Sequence, residues 1–356
     1  MVSKESAKME IPRITAVIPT YKRPQSLKKT ICSVLDQTYP FFRICVYDNA
    51  SGDETGDMVF ELAQKDDRIE YHCHNANIGA LKNFHFGIGN VKTKYFSIIC
   101  DDDFLLPDCY EVCIKELLKY PEAMFCSVGT AQIVEDRKIA FLPIMKWKEG
   151  VHSPPDGFLQ IAKKGQPIWT GTLYRSEVIR KIGNLDAGTM GSSDLDFALK
   201  ISAKSSFVIS KKVCAVYRNH TMNVTAKRGL DDIWPDFRCV IKNVHQSNEI
   251  PFDVIQKAEY FLYNRLKRKM FCIFIKALES RDYFDSIKIA DVFREYLPYK
   301  RMASLLFIIA RVNAKFPVFT VIFFWIRCLK WSFLKYSKPG RTYIQLSNVP
   351  EIKKYL

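Results

Sequence analysis

The segment SIICDDDFLLPD, residues 97–108, places three consecutive aspartates between two apolar runs. Two ionised carboxylates about 4 Å apart repel by roughly 4 kcal/mol at an effective dielectric near 20. A strand end that carries several of them therefore needs a compensating cation. Mg²⁺ and Mn²⁺ prefer oxygen ligands and often share their coordination with substrate phosphates. The alternative is a solvated acidic turn or a helix cap, and the neighbouring elements decide between the two.

Four apolar segments in the first hundred residues predict strands, with helical patterns between them. These segments are ITAVIP (14–19), RICVYD (43–48), RIEYHCH (68–74) and YFSIIC (95–100). Strands that alternate with helices predict an α/β fold, in which a mostly parallel sheet has helices on both faces. Ligands bind such sheets at the carboxyl ends of the strands.

The four predicted strands all end in polar groups, namely PTYKR, DNASGD, NANIG and DDD. Asp48 can accept a hydrogen bond from a nucleobase, and Gly79 permits a close backbone approach. Arg23 and Lys82 can contact phosphate. Taken alone, Asp48 is typical of a residue that forms a turn, and Lys82 is typical of a lysine on the protein surface. Together these residues predict a site for a nucleotide and a metal.

The motifs PTYKRP, DNASGDET, NANIGALKN and ICDDDFLLPD, at these spacings, resemble family 2 glycosyltransferases with the GT-A fold. The resemblance covers about residues 12–222. It implies transfer of a sugar from a nucleotide-sugar donor, with inversion at the anomeric carbon.

The resemblance also implies roles for individual residues. Asp48 recognises the base, Thr20 lies beside the base and ribose, and Asp102 binds Mn²⁺ or Mg²⁺. Asp103 is an additional metal ligand or a brace. His220, in YRNHTMNVT, is a further candidate near the metal, although a lone histidine in a loop often has neither role. The expected nucleotide-sugar contacts are Pro19, Thr20, Tyr21, Arg23, Asp48, Gly79, Lys82 and Asp101.

The segment SSDLDF, residues 192–197, matches the part of the family that supplies the catalytic base, and the match falls on Asp194. Ser193 stands where relatives have Glu. Inversion by one displacement requires a carboxylate that takes the acceptor's proton on the face opposite the leaving diphosphate. The alternative for Asp194 is a helix N-cap. Asp196 has a supporting role.

The sequence predicts a GT-A catalytic domain at residues 1–225 and a helical region at residues 226–356. Of the formal net charge of +15, the chain from Lys227 onward carries +12, from 24 Lys and Arg against 12 Asp and Glu. The segment Ser304–Tyr336 is apolar, but its longest uncharged run is shorter than the roughly 17 to 25 residues that span a bilayer. Basic, aromatic helices of this kind favour an anionic membrane surface. The alternative is a pair of core helices.

These observations predict a bacterial glycosyltransferase that is peripheral on the cytoplasmic face of the inner membrane. Its expected acceptor is a lipid-linked or cell-surface glycan. The eleven cysteines are scattered without a pairing pattern, and the first residues contain no apolar leader. Both features predict a cytoplasmic location. A nucleotidyltransferase is disfavoured because PTYKRP contains no glycine-rich phosphate loop. A nucleic-acid-binding protein is disfavoured because the candidate site is acidic. The donor sugar, its base and the oligomeric state stay open.

Overall fold

A computed structural model describes most of the chain, which forms two compact units. The first unit comprises residues 1–221 and 342–356, and the second comprises residues 222–341. The described residues are 13–134, 139–141, 143–219, 229–280, 282–295, 300–315 and 343–345.

The first unit is built around one mixed sheet. Its strands are β1 (Ile14–Thr20), β2 (Phe42–Asp48), β3 (Ile69–Cys73), β4 (Tyr95–Ile98), β5 (Phe104–Leu105), β6 (Ala123–Val134), β7 (Ile139–Phe141), β8 (Gly150–His152), β9 (Thr172–Arg175), β10 (Ser206–Asn219) and β11 (Tyr343–Gln345). The strand order is β11-β7-β6-β9-β4-β1-β2-β3, and β10 pairs with β5, β6 and β8.

The strands β3, β2, β1 and β4 are mutually parallel, so their carboxyl ends meet at one edge. The register aligns Thr20 with Asp48. Strand β9 is antiparallel to both β4 and β6, and β10 is parallel to β6. This arrangement places the polar strand ends named above along the same side of the molecule.

Helices cover this sheet. They are α1 (Pro24–Leu35), α2 (Thr55–Ala63), α3 (Ala80–Gly89), α4 (Cys109–Lys119), α5 (Asp156–Lys164), α6 (Glu177–Ile182) and α7 (Ser193–Lys204). Helix α1 begins with Pro24, which is favourable in a first turn because its missing N–H has no partner there. Its Leu27, Ile31 and Val34 are fully buried in the main core. Helix α3 packs on the opposite face of β1 and β2, where Phe86 contacts Val17, Cys45 and Tyr47.

The predicted α/β fold is confirmed, and each of the four predicted strands is present to within two residues at either end. Residues 131–165 have no regular hydrophobic spacing, so no element is predicted there. The structure has the end of β6, β7, β8 and α5 there. Strands of three residues are too short to show an alternation of apolar and polar positions, which explains why they were missed.

The second unit is helical over its described residues. Its helices are α8 (Leu230–His245), α9 (Phe252–Glu279), α10 (Tyr283–Glu295) and α11 (Lys300–Lys315). Among the described residues, no helix is both long and apolar enough to cross a bilayer. Most of the apolar segment 304–336 lies outside the described residues. Strand β11 pairs with β7 of the first unit, so these three residues belong with the sheet and not with a helical region at 226–356.

Candidate active site

The aspartate triplet lies at the carboxyl end of β4, and all three residues are buried. Their exposed fractions are 7% for Asp101, 8% for Asp102 and 1% for Asp103. A buried carboxylate is costly unless charges or hydrogen bonds compensate it. The contacts of each residue therefore indicate what each can do.

Arg23, just before α1, compensates the first two aspartates. Its Nη1 lies 3.1 Å from Oδ1 of Asp101 and 2.7 Å from Oδ2 of Asp102. The Thr20 hydroxyl donates to Oδ2 of Asp101 at 2.8 Å. Burial raises the pKa of Asp101 to about 6, although the Arg23 guanidinium pulls it down. Burial opposes the charge of Arg23, but the two carboxylates outweigh burial and raise its pKa.

Asp103 differs from its two neighbours because the surrounding backbone and side chains bind it on every side. Its Oδ2 accepts from the Thr170 hydroxyl at 2.6 Å, and its Oδ1 accepts from the Arg218 backbone N–H at 2.9 Å. Its carbonyl oxygen accepts from the Thr30 hydroxyl at 2.7 Å. Burial raises the pKa of Asp103 well above its ordinary value, and these hydrogen bonds oppose that shift. Asp103 thereby joins α1, β10 and the loop before β9.

The donor atoms at the triplet fit a hard divalent cation. Sγ of Cys100 and carboxylate oxygens of Asp102 and Asp103 lie within 4.8 Å of one another. Burial and the adjacent aspartates raise the pKa of the Cys100 thiol well above its ordinary value, which disfavours the thiolate. A neutral thiol is a poor ligand for Mg²⁺ or Mn²⁺, whereas carboxylates are preferred ligands. The position of Asp102 suits a metal ligand, and that of Asp103 suits a brace.

The end of β2 carries Asp48 in a buried and fully hydrogen-bonded position. Its Oδ1 accepts from the backbone N–H and the hydroxyl of Ser51, at 3.0 and 2.6 Å. Its Oδ2 accepts from the Tyr71 hydroxyl at 2.7 Å. Burial and this hydrogen bond raise the pKa of Tyr71. The contact between Asp48 and a nucleobase stays a prediction.

The loop before α3 is held by two asparagines that the motif analysis did not single out. Asn49 donates to Asn77 at 3.0 Å and accepts from the Ile78 backbone N–H at 2.8 Å. Gly79 follows with φ +86°, ψ 151°, a conformation that only glycine adopts without strain. Lys82 is exposed in the first turn of α3 and makes no ion pair among the described residues. The loop therefore presents backbone and one cation beside β1 and β2.

The segment PTYKR is placed at the same edge. Pro19 and Thr20 are buried at the end of β1, and Tyr21 is 41% exposed. Lys22 Nζ lies 5.4 Å from the centre of the Tyr21 ring, and the Lys22 N–H donates to Ser51 at 2.8 Å. The structure thus brings the predicted donor-site residues together at one edge, except that His220 lies outside the described residues.

Asp194 lies in the first turn of α7 and is half-buried. Its Oδ2 accepts from Nε2 of Gln166 at 2.5 Å, and its Oδ1 accepts from the Leu195 backbone N–H. The alternative role for Asp194, a helix N-cap, does not apply here, because Ser192 is the N-cap residue of α7 and no side-chain cap hydrogen bond is described at this helix start. Asp196 is buried and forms an ion pair with Lys200 at 2.7 Å, in agreement with a supporting role.

One loop connects the candidate base to the aspartate triplet. Residues 166–172 begin with Gln166, which contacts Asp194, and contain Thr170, which contacts Asp103. Trp169 of this loop packs against Phe84 of α3, with ring centroids 5.2 Å apart. Gln166 and Thr170 could not be recognised from local sequence, because their partners lie 28 and 67 residues away in the chain.

Residues 15–183 match the family model described as Glycosyl transferase family 2. The chain is 30% identical over 109 residues to glycosyltransferase GlyA of Streptococcus pneumoniae, covering 30% of this chain and 15% of that protein. It is 32% identical over 97 residues to the GalNAc(5)-diNAcBac-PP-undecaprenol beta-1,3-glucosyltransferase of Campylobacter jejuni, covering 27% of this chain and 31% of that protein. The matches span a third or less of both relatives.

The structure of S. aureus TarS 1-349 in complex with UDP-GlcNAc is similar, with a TM-score of 0.62 and 14% identity. The similarity covers 85% of this chain and 91% of that one, and it shows a shared fold. Residues 15–183 therefore form a family 2 glycosyltransferase domain, as the motifs predicted, and the fold is the GT-A fold expected for it.

Proposed function

We propose that the chain transfers a sugar from a nucleotide-diphosphate sugar to a hydroxyl of a lipid-linked or cell-surface glycan, with inversion. One observation carries this proposal. The loop at residues 166–172 hydrogen-bonds both to the aspartate triplet and to Asp194. The loop thereby links the aspartate triplet, which suits a donor diphosphate, to Asp194, which suits an acceptor hydroxyl. A single displacement requires both groups.

The donor side is the edge formed by β1, β2 and β4. The base lies at Asp48, the ribose at Thr20 and Asp101, and the diphosphate near Lys82. Asp102 holds a divalent cation, Mn²⁺ or Mg²⁺, with His220 as a further candidate ligand. When bound, such a cation neutralises negative charge that develops on the leaving nucleoside diphosphate. Asp103 keeps this strand end in place through Thr170 and the Arg218 backbone.

The acceptor side is the start of α7. Asp194 takes the proton of the acceptor hydroxyl as that oxygen attacks the anomeric carbon and the bond to the diphosphate breaks. Gln166 fixes the orientation of the carboxylate through its hydrogen bond. Gln166 thus supplies a side-chain contact to the base in a chain that has Ser193 where relatives have Glu.

The test combines donor binding with the stereochemistry of the product. Thermal unfolding is measured with a panel of nucleoside diphosphates and nucleotide sugars, UDP-GlcNAc included, with and without Mn²⁺. We expect one nucleotide to raise the melting temperature only with the metal. With the sugar donor of that base, the transferred or hydrolysed product should have the inverted anomeric configuration by proton NMR. A retained configuration would contradict the assignment of Asp194.

We also propose that the helical unit binds the cytoplasmic face of the inner membrane. On α11, Leu305, Ile308 and Val312 are exposed at a helical spacing of three and four residues. Lys300, Arg301, Arg311 and Lys315 lie on the same helix, and residues 296–350 contain no acidic residue. Exposed apolar residues beside basic ones suit the interface of an anionic bilayer.

This membrane proposal is tested by substitution, because deleting residues 300–356 would also remove β11 from the sheet. The variant Leu305→Ser/Ile308→Ser/Val312→Ser should sediment less with vesicles that contain anionic phospholipid. A control variant changes three exposed apolar residues elsewhere, Phe60→Ser, Leu118→Ser and Phe252→Ser. Equal sedimentation of the α11 variant and the unchanged protein would refute the proposal.

A further inference from the structure

A second concave surface lies on the face of the sheet that α3 covers, and it extends from the amino ends of β1, β2 and β4 to Tyr47 and His72. It is a cavity of about 980 Å³, within the size range of ligand-binding pockets. Its lining includes the starts of β1 and β2, the start of β3 and the end of α3. The lining residues that carry the argument are Arg13, Lys92, Lys94, Glu70, His72 and Phe86.

The cavity exists because α3 covers only part of its face of the sheet. Phe86 of α3 packs on Val17, Cys45 and Tyr47. Parallel sheets normally have both faces covered by helices. On β3, however, the residues of this face are the exposed Glu70 and His72, and neither belongs to an apolar cluster. The surface is therefore built from polar and aromatic groups and is accessible to a ligand.

The charge of this cavity is positive. Arg13, Lys92 and Lys94 are exposed and form no ion pair among the described residues, whereas Arg43 is paired with Glu70. Arg13 and Lys94 directly precede the neighbouring parallel strands β1 and β4, where the Tyr95 N–H donates to the Arg13 carbonyl at 3.1 Å. Like charges on adjacent strands repel each other. An anion bound between them would offset that repulsion.

The wall of the cavity is aromatic. The His72 and Phe86 rings stack with centroids 4.8 Å apart, and Tyr47 meets Phe86 edge-on at 5.7 Å. Glu70 and the Asn90 amide add hydrogen-bonding groups beside these rings. Aromatic surfaces with a few polar groups and a rim of cations suit a ligand that has apolar ring faces, hydroxyls and negative charge.

We propose that this cavity binds an acidic glycan. Sugar rings contact His72 and Phe86, and carboxylate or phosphate groups of the glycan contact Arg13, Lys92 and Lys94. The choice of a glycan rests on the proposed function. The cations of the cavity are separate from the reaction centre, since Arg13 precedes β1 and the seven residues of that strand span roughly 20 Å at about 3.3 Å per residue. Tyr47 is next to Asp48 in the chain, but successive side chains of a strand point to opposite faces of the sheet.

The test is a calorimetric titration of the full chain with three probes. An oligogalacturonate supplies carboxylates, a phosphorylated mannan oligosaccharide supplies phosphates, and a maltooligosaccharide is neutral. We expect at least one acidic probe to bind, and the neutral probe to bind about tenfold more weakly or not at all. The variant Lys92→Ser/Lys94→Ser should lose about tenfold in affinity for the acidic probe. Binding should weaken as salt rises.

The matched control is Lys65→Ser/Lys115→Ser, which removes the same charge from exposed lysines that do not line the cavity. Equal loss in both variants, equal affinity for neutral and acidic probes, or no binding by the unchanged protein would each overturn the proposal. Metal-dependent nucleotide binding is measured on the same samples. If that binding persists while the glycan does not bind, the cavity proposal fails alone, and the donor site is unaffected.

Discussion

The two ends of strands β1 to β4 carry opposite charges, and they differ in how far those charges are buried and paired. At the carboxyl end, the acidic groups are buried, and Arg23, Thr20 and Thr170 bind them directly. At the amino end, Arg13 and Lys94 are exposed and unpaired among the described residues. Buried charges require fixed partners, so the carboxyl end is held in one geometry. The amino end keeps its charges available, which suits binding without chemistry.

The strongest test of this contrast is Asp194→Asn. The amide cannot take a proton, so the transfer rate should fall by about 10² to 10⁴ while metal-dependent nucleotide binding is unchanged. The transfer rate is measured as the amount of product formed over time, and the nucleotide affinity is measured by calorimetry. The control Asp196→Asn alters the same helix at a residue paired with Lys200, and it should keep most of the rate per folded molecule. If nucleotide binding were lost with Asp194→Asn, the residue would be structural.

The second test separates two adjacent aspartates at the carboxyl end. In Asp103→Asn, the amide NH₂ faces the donor of Thr170 or of the Arg218 backbone, so the free energy of unfolding should drop by about 1 to 3 kcal/mol. Asp102→Asn weakens an ion pair with Arg23, which keeps Asp101 as a partner, so we expect a smaller loss of stability and loss of the effect of Mn²⁺ on nucleotide binding. Thermal unfolding without metal and a Mn²⁺ titration measure the two properties. The reverse result would make Asp103 the ligand and Asp102 the brace.

The third test concerns the loop that joins the base to the triplet. Gln166→Ala removes the hydrogen bond that orients Asp194, and we expect the transfer rate to fall about tenfold, which corresponds to about 1.4 kcal/mol. The Michaelis constant for the donor should stay the same because the donor edge is untouched. Gln166→Glu places a second carboxylate beside Asp194 and should reduce the rate further. The exposed Gln64, changed to Ala, serves as the control and should have no effect.

The smallest expected effect is at the glycine before α3. Gly79→Ala forces a side chain into a positive-φ conformation, which costs about 1 to 3 kcal/mol, and the loop should relax and weaken nucleotide binding severalfold. Gly183→Ala is a matched control, because Gly183 also has a positive φ of +79° and open space around a new Cβ. It should reduce stability alone. Equal nucleotide affinity in both variants would show that the loop does not approach the donor.

The sequence was informative where structure depends on local pattern. Strands β1 and β4 are apolar runs because both of their faces are buried, and β2 is buried at every position but Arg43. Strand β3 lies at the edge of this parallel group and is half-exposed. The sequence could not distinguish a ligand from a brace at Asp103. That distinction depends on Thr170 and Arg218, which are 67 and 115 residues away. The cavity could not be predicted from the sequence either, because it depends on how far α3 extends over the sheet.

Long-range contacts also explain why Gln166 was missed. It lies between α5 and β9, in a segment without regular hydrophobic spacing. A glutamine there looks like any loop residue until α7 places Asp194 beside it. The departure at Ser193 was visible in the sequence. The residue that contacts Asp194 was not.

The pairing of β11 with β7 changes how the protein should be divided for experiments. The chain leaves the first unit near residue 221 and returns to it at residue 342. The helical unit is therefore an insertion connected at both ends, and a shortened protein that stops at residue 225 lacks an edge strand. Its β7 would present unpaired backbone groups, which promote aggregation. An internal replacement of residues 226–341 by a flexible linker is the sounder way to isolate the catalytic sheet.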